Sequence, residues 1–273
     1  NIEIQGWVRT KRETRNIAFI ELNDGSCFRS IQLTIDLAKA ENSALLTTLK
    51  KINTGAAIQA TGQLVASVGS GQSSEVNVSK IQVLGTAPEN YPLQKKRHSF
   101  EFLREIAHLR PRTNTFAAVA RVRSHLSYAI HEFFHQHDFL YVHTPIITTS
   151  DAEGAGSMFQ VTTLDVENLA KSGKEVDWAK DFFNKKAYLT VSGQLEGEAY
   201  ATALSRIYTF GPTFRAENSN TSRHLSEFWM IEPEFSFARL EENMDLAEAF
   251  LKHLFSSLLD NCLEDLEFFD KHI

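Results

Sequence analysis

The chain has 273 residues, enough for two domains, and its 42% hydrophobic and 23% charged content is that of an ordinary globular protein rather than a disordered or fibrous one. No apolar run approaches the roughly 18 residues of a membrane span, and no charged-then-apolar leader opens the sequence, so a cytoplasmic protein without a membrane partner is expected. The net charge of −6 argues against indiscriminate nucleic-acid binding, and the 2 cysteines, Cys27 and Cys262, are too far apart in sequence to indicate a disulfide framework or a zinc cluster.

From Ile2 to about Gly85 the chain reads as short strands, Ile2–Arg9, Asn16–Leu22, Arg29–Ile35, Ala56–Val65 and Glu75–Val83, with a helix over Leu37–Ile52 between the third and fourth. Asn23-Asp24-Gly25-Ser26 and Gly69-Ser70-Gly71-Gln72 are hairpin turn signals. The second has neither the lysine nor the following helix of a phosphate loop. Five strands with a helix before the fourth is the pattern of an OB-fold barrel, whose strand face commonly binds single-stranded nucleic acid. With the chain acidic overall, RNA contact would need a local basic patch: Arg9, Lys11, Arg12 and Arg15, or Lys95, Lys96 and Arg97. A solvated loop accounts for either cluster equally well.

Ala87–Arg97, with two prolines and a basic run, reads as a linker. Thr113 or Asn114 then caps a long helix in which Val119, Val122, Leu126, Ile130 and Phe133 recur at three and four, ending near Asp138 before an extended Tyr141–Ile147. Within that helix His131-Glu132-Phe133-Phe134-His135 matches the H-E-x-x-H pattern of zinc metalloproteases. Both histidines share a face with Ser124, Ser127, Tyr128 and Asp138, and no third ligand follows at a recognisable spacing, so a solvated helix surface explains them better than a metal.

The most informative stretch is a hairpin from Ile207 to Phe237. Tyr208, Phe210, Pro212, Phe214 and Ala216 alternate with Thr209, Gly211, Thr213, Arg215 and Glu217. After the polar loop Asn218–Ser226, Trp229, Ile231, Pro233 and Phe235 alternate with Phe228, Met230, Glu232 and Glu234. An upstream run sets Leu189 and Val191 against Thr190, Ser192 and Gln194. Three neighbouring antiparallel strands would then gather an arginine, carboxylates, an amide and the Phe228 ring on one surface, a floor for a charged, planar ligand. Any single strand would be explained by a half-buried sheet with surface ion pairs. Pro212 and Pro233 lack a ladder donor, so bulges or local unpairing are expected there. A second amphipathic helix follows, with Leu246, Phe250, Leu254 and Leu258 inward. Helices on a largely antiparallel sheet make the second domain α+β.

The string Phe214-Arg215-Ala216-Glu217, continued by Asn218-Ser219-Asn220-Thr221-Ser222-Arg223-His224-Leu225 and Glu227-Phe228-Trp229-Met230-Ile231-Glu232-Pro233-Glu234, resembles motif 2 of class II aminoacyl-tRNA synthetases, and among them the bacterial-type asparaginyl enzymes. Leu109-Arg110-Pro111-Arg112-Thr113-Asn114, the helix after it and Thr144-Pro145-Ile146-Ile147 are similar to motif 1, and Val191-Ser192-Gly193-Gln194-Leu195 is similar to the amino-acid loop. The resemblance covers essentially the whole chain. It implies an OB-fold anticodon-binding domain over 1–86, a hinge over 87–107 and the N-terminal part of an antiparallel-sheet catalytic domain over 108–273.

The implied activity is ligation of L-asparagine to tRNA(Asn) through an asparaginyl-adenylate, with ATP as its Mg²⁺ complex. By similarity, Arg215 clamps the α-phosphate, Arg223 and His224 meet the outer phosphates, and Phe228 stacks on adenine. Gln194 and Glu153 hold the α-ammonium, with Glu232 close behind them. Related aspartate enzymes place a lysine three residues after the loop glutamine, where this chain has Gly197, and Glu217 accepts from the asparagine amide while repelling a carboxylate. Phe19 and Gln32, with Glu75 as a weaker match, fall where the family reads the central anticodon uracil. For Phe19 alone, a place in the barrel core is an equally good explanation. Motif 1 implies a homodimer through residues 111–147.

One departure stands out: the glycine-rich motif 3, with its adenine-covering arginine, does not occur before Ile273. The metal ligands and an arginine for the substrate side chain belong to the same part, so the resemblance implies a fragment that is inactive by itself. A relaxed aspartate enzyme and a catalytically silent RNA-binding or regulatory module are the alternatives. Gly197 argues against the former; the absent motif 3 permits the latter.

Overall fold

Along Ile2–Glu13 (β1), Ile17–Asn23 (β2) and Ile31–Asp36 (β3), alternate residues point inward and are apolar, Val8, Ala18, Ile20, Leu22, Leu33 and Ile35 among them. The computed structural model describes the chain except residues 39–42, 70, 153, 155, 220 and 222. A short helix, Ser43–Leu49 (α1), precedes Ala57–Ala66 (β4) and Ser74–Gly85 (β5). The five strands close into a barrel in the order β1-β2-β3-β5-β4, with β3 and β5 parallel and the other pairs antiparallel. Leu49 and Ile52, at and just beyond the end of α1, join Ile58, Val76 and the strand residues in one core. Gly62 is required where the β4–β5 register shifts, because a Cβ there would lie 2.3 Å from the Asn77 carbonyl oxygen.

The expected barrel is therefore present, with two differences. The expected helix Leu37–Ile52 is seen over Ser43–Leu49: Leu37 and Ala38 form a turn, residues 39–42 lie outside the described part, and the helix ends before Ile52. And β1 runs on past Arg9 to Glu13, so Lys11 and Arg12 stand on the strand too rather than in a loop.

After residues without regular structure comes Phe100–Glu105 (α2), capped by the Ser99 hydroxyl, which accepts from the Phe102 N–H. The long helix Asn114–Gln136 (α3) follows. The chain folds as two compact units, Asn1–His125 with Leu258–Ile273, and Leu126–Ser257. In the first, Arg121 of α3 makes a bidentate pair with the buried Asp265 of the last helix, Leu263–His272, at 3.0 and 2.5 Å.

The second unit is built on Leu140–Tyr141 (β6), Ile147–Thr148 (β7), Gln160–Val161 (β8), Val166–Ser172 (α4), Ala187–Leu189 (β9), Gln194–Leu204 (α5), Arg206–Phe214 (β10), Glu227–Phe235 (β11) and Leu240–Asn261 (α6). The final Leu263–His272 is α7. Strands β10 and β11 pair antiparallel in unbroken register, Thr209 opposite Glu232 and Thr213 opposite Phe228. Tyr208, Phe210, Ile231 and Phe235 face Ile130, Phe133 and Phe134 of α3 and Leu246, Phe250 and Leu254 of α6, as the alternation and the helical spacing require.

Two expectations are corrected here. The prolines cause no bulge. The Tyr208 carbonyl accepts from Val142 N, the Phe210 carbonyl from the Tyr141 hydroxyl, and Phe214 N donates to Thr190 O, so the even-numbered backbone groups of β10 point away from β11. Pro212 shares that parity and Pro233 is registered with Tyr208, so neither occupies a position where a β10–β11 donor is needed. The third strand also differs: β10's other neighbour is β6, in parallel, while β9 belongs to a separate sheet, β7-β9-β8. The run ending in Gln194 is not a strand to its end, since Gln194 opens α5.

Candidate active site and nucleic-acid interface

The face of β10–β11 opposite the aromatic core carries the polar set. Thr209, Gly211 and Thr213 stand across from Glu232, Met230 and Phe228. Just beyond β10, Arg215 places its guanidinium carbon 5.3 Å from the centre of the Phe228 ring, and its Nε is buried with no hydrogen-bond partner. Backbone bonds fix this corner: Arg215 N donates to Ser226 O at 3.0 Å and Ala216 N to Ser157 O at 2.6 Å. A Cβ on Gly156 would lie 2.8 Å from Glu217 Oε1 and 3.4 Å from Arg215 Cδ, so that loop passes directly over both side chains. Glu217 Oε2 and His224 Nε2 are 3.0 Å apart. Arg223 is exposed, and Glu153 lies outside the described residues.

Helix α5 closes one side of the floor. Gln194 donates through its amide to Glu198 Oε1 at 3.1 Å. Gly197 is buried against β10 and β11: a Cβ there would meet only Ile207 Cδ1 at 3.4 Å, Glu234 Cγ at 3.6 Å and Thr209 Cγ2 at 3.9 Å, ordinary contacts. Burial above all, then Glu198 and Glu232, pushes the Glu234 carboxyl above its ordinary range. Glu232 is differently placed, for Ser192, Gly193 and Thr209 all donate to it. Ser192 and Thr209 were legible only as members of a polar face; their shared partner comes from the fold.

His131 corrects another expectation. It does not lie on a solvated surface: its Nδ1 is 2.7 Å from the Tyr208 hydroxyl, and its ring packs on Tyr141, Tyr208 and Phe210. The same burial raises the Tyr208 phenol to about 12. His135 is exposed, and among the described residues no group of three or more His, Cys, Asp or Glu could hold a metal ion.

In the first unit Phe19 faces outward from the barrel between the buried Ala18 and Ile20, under the Arg12 guanidinium at 4.6 Å. The register Phe19↔Thr34 and Glu21↔Gln32 puts Phe19 and Gln32 on one face. Gln32 donates to Glu75 Oε2 at 3.1 Å, and Ser67 and Gln72 donate to the same oxygen, so the buried Glu75 orients Gln32 rather than lying open. Phe19, Gln32 and Arg12 line a cleft of roughly 1140 Å³ whose other wall includes Phe268 and Lys271 of α7.

Residues 99–272 match the family described as tRNA synthetases class II (D, K and N), and residues 2–84 match the OB-fold nucleic acid binding domain. The asparagine-tRNA ligase of Treponema denticola is 60% identical over 282 residues, covering 100% of this chain and 60% of the relative. That of Cytophaga hutchinsonii is 59% identical, covering 99% and 58%. The chain thus spans about three fifths of the curated relatives it matches. Among solved structures, the asparaginyl-tRNA synthetase of Pyrococcus horikoshii complexed with asparaginyl-adenylate is 26% identical, with a TM-score of 0.84 over 98% of this chain and 57% of that one.

Proposed function

The chain belongs to the class II tRNA synthetases of the aspartate, lysine and asparagine group, and from that premise we propose that the enzyme it forms part of ligates L-asparagine to tRNA(Asn) using ATP. The observation that carries this reading is Arg215: a cation stacked on an aromatic ring, its Nε buried and unpaired, at the open end of a polar sheet face. A buried donor without a partner is costly, and an α-phosphate oxygen would satisfy it. Phe228 offers its other side to adenine, and Gln194 and Glu153 are assigned the α-ammonium.

The asparagine carboxylate attacks the α-phosphorus in line and pyrophosphate leaves; a hydroxyl of the terminal tRNA ribose then attacks the acyl carbon of the adenylate, and AMP leaves as the acyl–phosphate bond breaks. The chain contributes positioning and charge neutralisation rather than a covalent step. His224 Nε2 lies 3.0 Å from Glu217 Oε2; His224 is assigned with Arg223 to the outer phosphates, and Glu217 to the asparagine amide. ATP is taken as its Mg²⁺ complex, and no residue here is assigned to the metal. On the barrel, Phe19 stacks on an anticodon base and Gln32, held by Glu75, reads its edge. The domain division proposed is 1–86 for anticodon binding, 87–107 for the hinge and 108–273 for the first part of the catalytic domain.

The complete enzyme should transfer radiolabelled asparagine to tRNA(Asn), and fail to do so with an anticodon-altered transcript. Equal charging of both transcripts would overturn the anticodon assignment, and no charging of either would overturn the ligase.

A homodimer is proposed through residues 111–147, with the exposed Tyr128, Ile146 and Ile147 as apolar material for a self-complementary contact. Sedimentation of the complete enzyme at micromolar concentration should give a dimer; a monomer would count against it.

A further inference from the structure

We propose that Thr209 is a positioning residue for amino-acid recognition, its hydroxyl anchoring Glu232 to the sheet so that Glu232 in turn holds the loop that presents Gln194. This rests on the ligase function proposed above. Glu232 stands opposite Thr209 on the neighbouring strand, and a glutamate there would be free to turn about its side-chain bonds. It is not free. Its Oε1 accepts from the Ser192 hydroxyl, and its Oε2 accepts from Gly193 N at 3.1 Å and from Thr209 Oγ1 at 2.8 Å. Ser192 Oγ accepts in turn from Gln194 N at 3.1 Å, and the Thr190 hydroxyl donates to Ser192 O at 2.6 Å. The connection runs from the sheet through one carboxylate to the first residue of α5.

Two of the three donors to Glu232 belong to the loop itself. Only Thr209 sits on a long, paired strand, so only Thr209 fixes the carboxylate relative to the floor. It is 4% exposed, and Ser192 is 7% exposed, so water does not compete for these bonds. The backbone is pressed onto the same spot: a Cβ at Gly193 would fall 2.7 Å from Thr144 Oγ1 and 3.2 Å from both Thr209 Oγ1 and Cγ2. A carboxylate already accepting from three internal donors serves the loop before it serves a ligand. Glu232 therefore acts on the substrate through Gln194 rather than by direct contact with the ammonium.

The test compares Thr209→Val, which keeps the shape and removes the donor, with Thr209→Ser, which keeps the donor. In the complete enzyme, Thr209→Val should raise the KM for asparagine by about 10- to 100-fold, the range for losing a hydrogen bond to a charged acceptor, while the KM for ATP stays near its original value. Thr209→Ser should restore the asparagine KM. Amide hydrogen exchange over residues 191–194, read without substrates, should quicken in the valine variant and not in the serine variant. An unchanged asparagine KM in Thr209→Val, an equal rise in the KM for ATP, or failure of Thr209→Ser to rescue would overturn the proposal. If the unmodified enzyme shows no asparagine-dependent activity, the ligase function fails, and the exchange measurement alone still decides whether Thr209 holds the loop.

Discussion

Replacing Arg215 by alanine in the complete enzyme should slow adenylate formation by about 10²- to 10³-fold, the range for removing one preorganised group from developing transition-state charge. The argument is local. Arg215 is held at both ends, by its backbone bond to Ser226 and by the Phe228 ring, so in the proposed role its guanidinium would meet the phosphate without reorganisation. A lysine would keep the charge and lose the planar fork, so Arg215→Lys should recover only part of the rate. Asparagine-dependent exchange of pyrophosphate into ATP measures the step. A rate near that of the unmutated enzyme would remove Arg215 from the chemistry and leave its unpaired Nε unexplained.

The second large effect concerns substrate choice. Aspartate brought into this site would lose its water, find no cation at Gly197 and face the Glu217 carboxylate. Glu198, Glu232 and Glu234 add carboxylates on the same side, and burial first, then Glu198 and Glu232, raises the Glu234 carboxyl. A site built on such a hydrogen-bonding contrast can discriminate by about 10⁴ or more. The space at Gly197 makes the contrast testable, because a Cβ there meets only ordinary contacts and the nearest carboxyl carbon chain is that of Glu234. Gly197→Lys combined with Glu217→Gln should therefore narrow the asparagine-to-aspartate ratio of kcat/KM, chiefly by raising aspartate activation. A double variant with an unaltered ratio would show that selection lies elsewhere.

How much of this was legible in the sequence depended on range. The hairpin faces were readable because a period of two is a local property, and Tyr208, Phe210, Ile231 and Phe235 lie where the alternation put them. The prolines misled because a missing N–H matters only if it points at a partner strand, and that parity is set by which neighbours pair with β10. Gln194 continues the polar-apolar alternation of Val191 and Ser192, so the local pattern does not mark the point at Gly193 where the helix begins. His131 lies next to Ile130 at the edge of the apolar stripe of α3, close enough for its ring to reach Tyr208, 77 positions away. The Glu232 network joins positions 23, 39 and 40 residues apart, a separation no local pattern records. On the barrel, Phe19 and Gln32 were placed by resemblance; their common outward face follows from the β2–β3 register.

The measurement that bears most directly on the proposed function is amino-acid-dependent pyrophosphate exchange by the complete unmodified enzyme, run in parallel with asparagine and aspartate. Robust exchange with asparagine and nearly none with aspartate is the predicted result. Comparable exchange with aspartate would contradict it in favour of a relaxed aspartate enzyme, and exchange with neither would contradict the assignment of this floor to amino-acid activation.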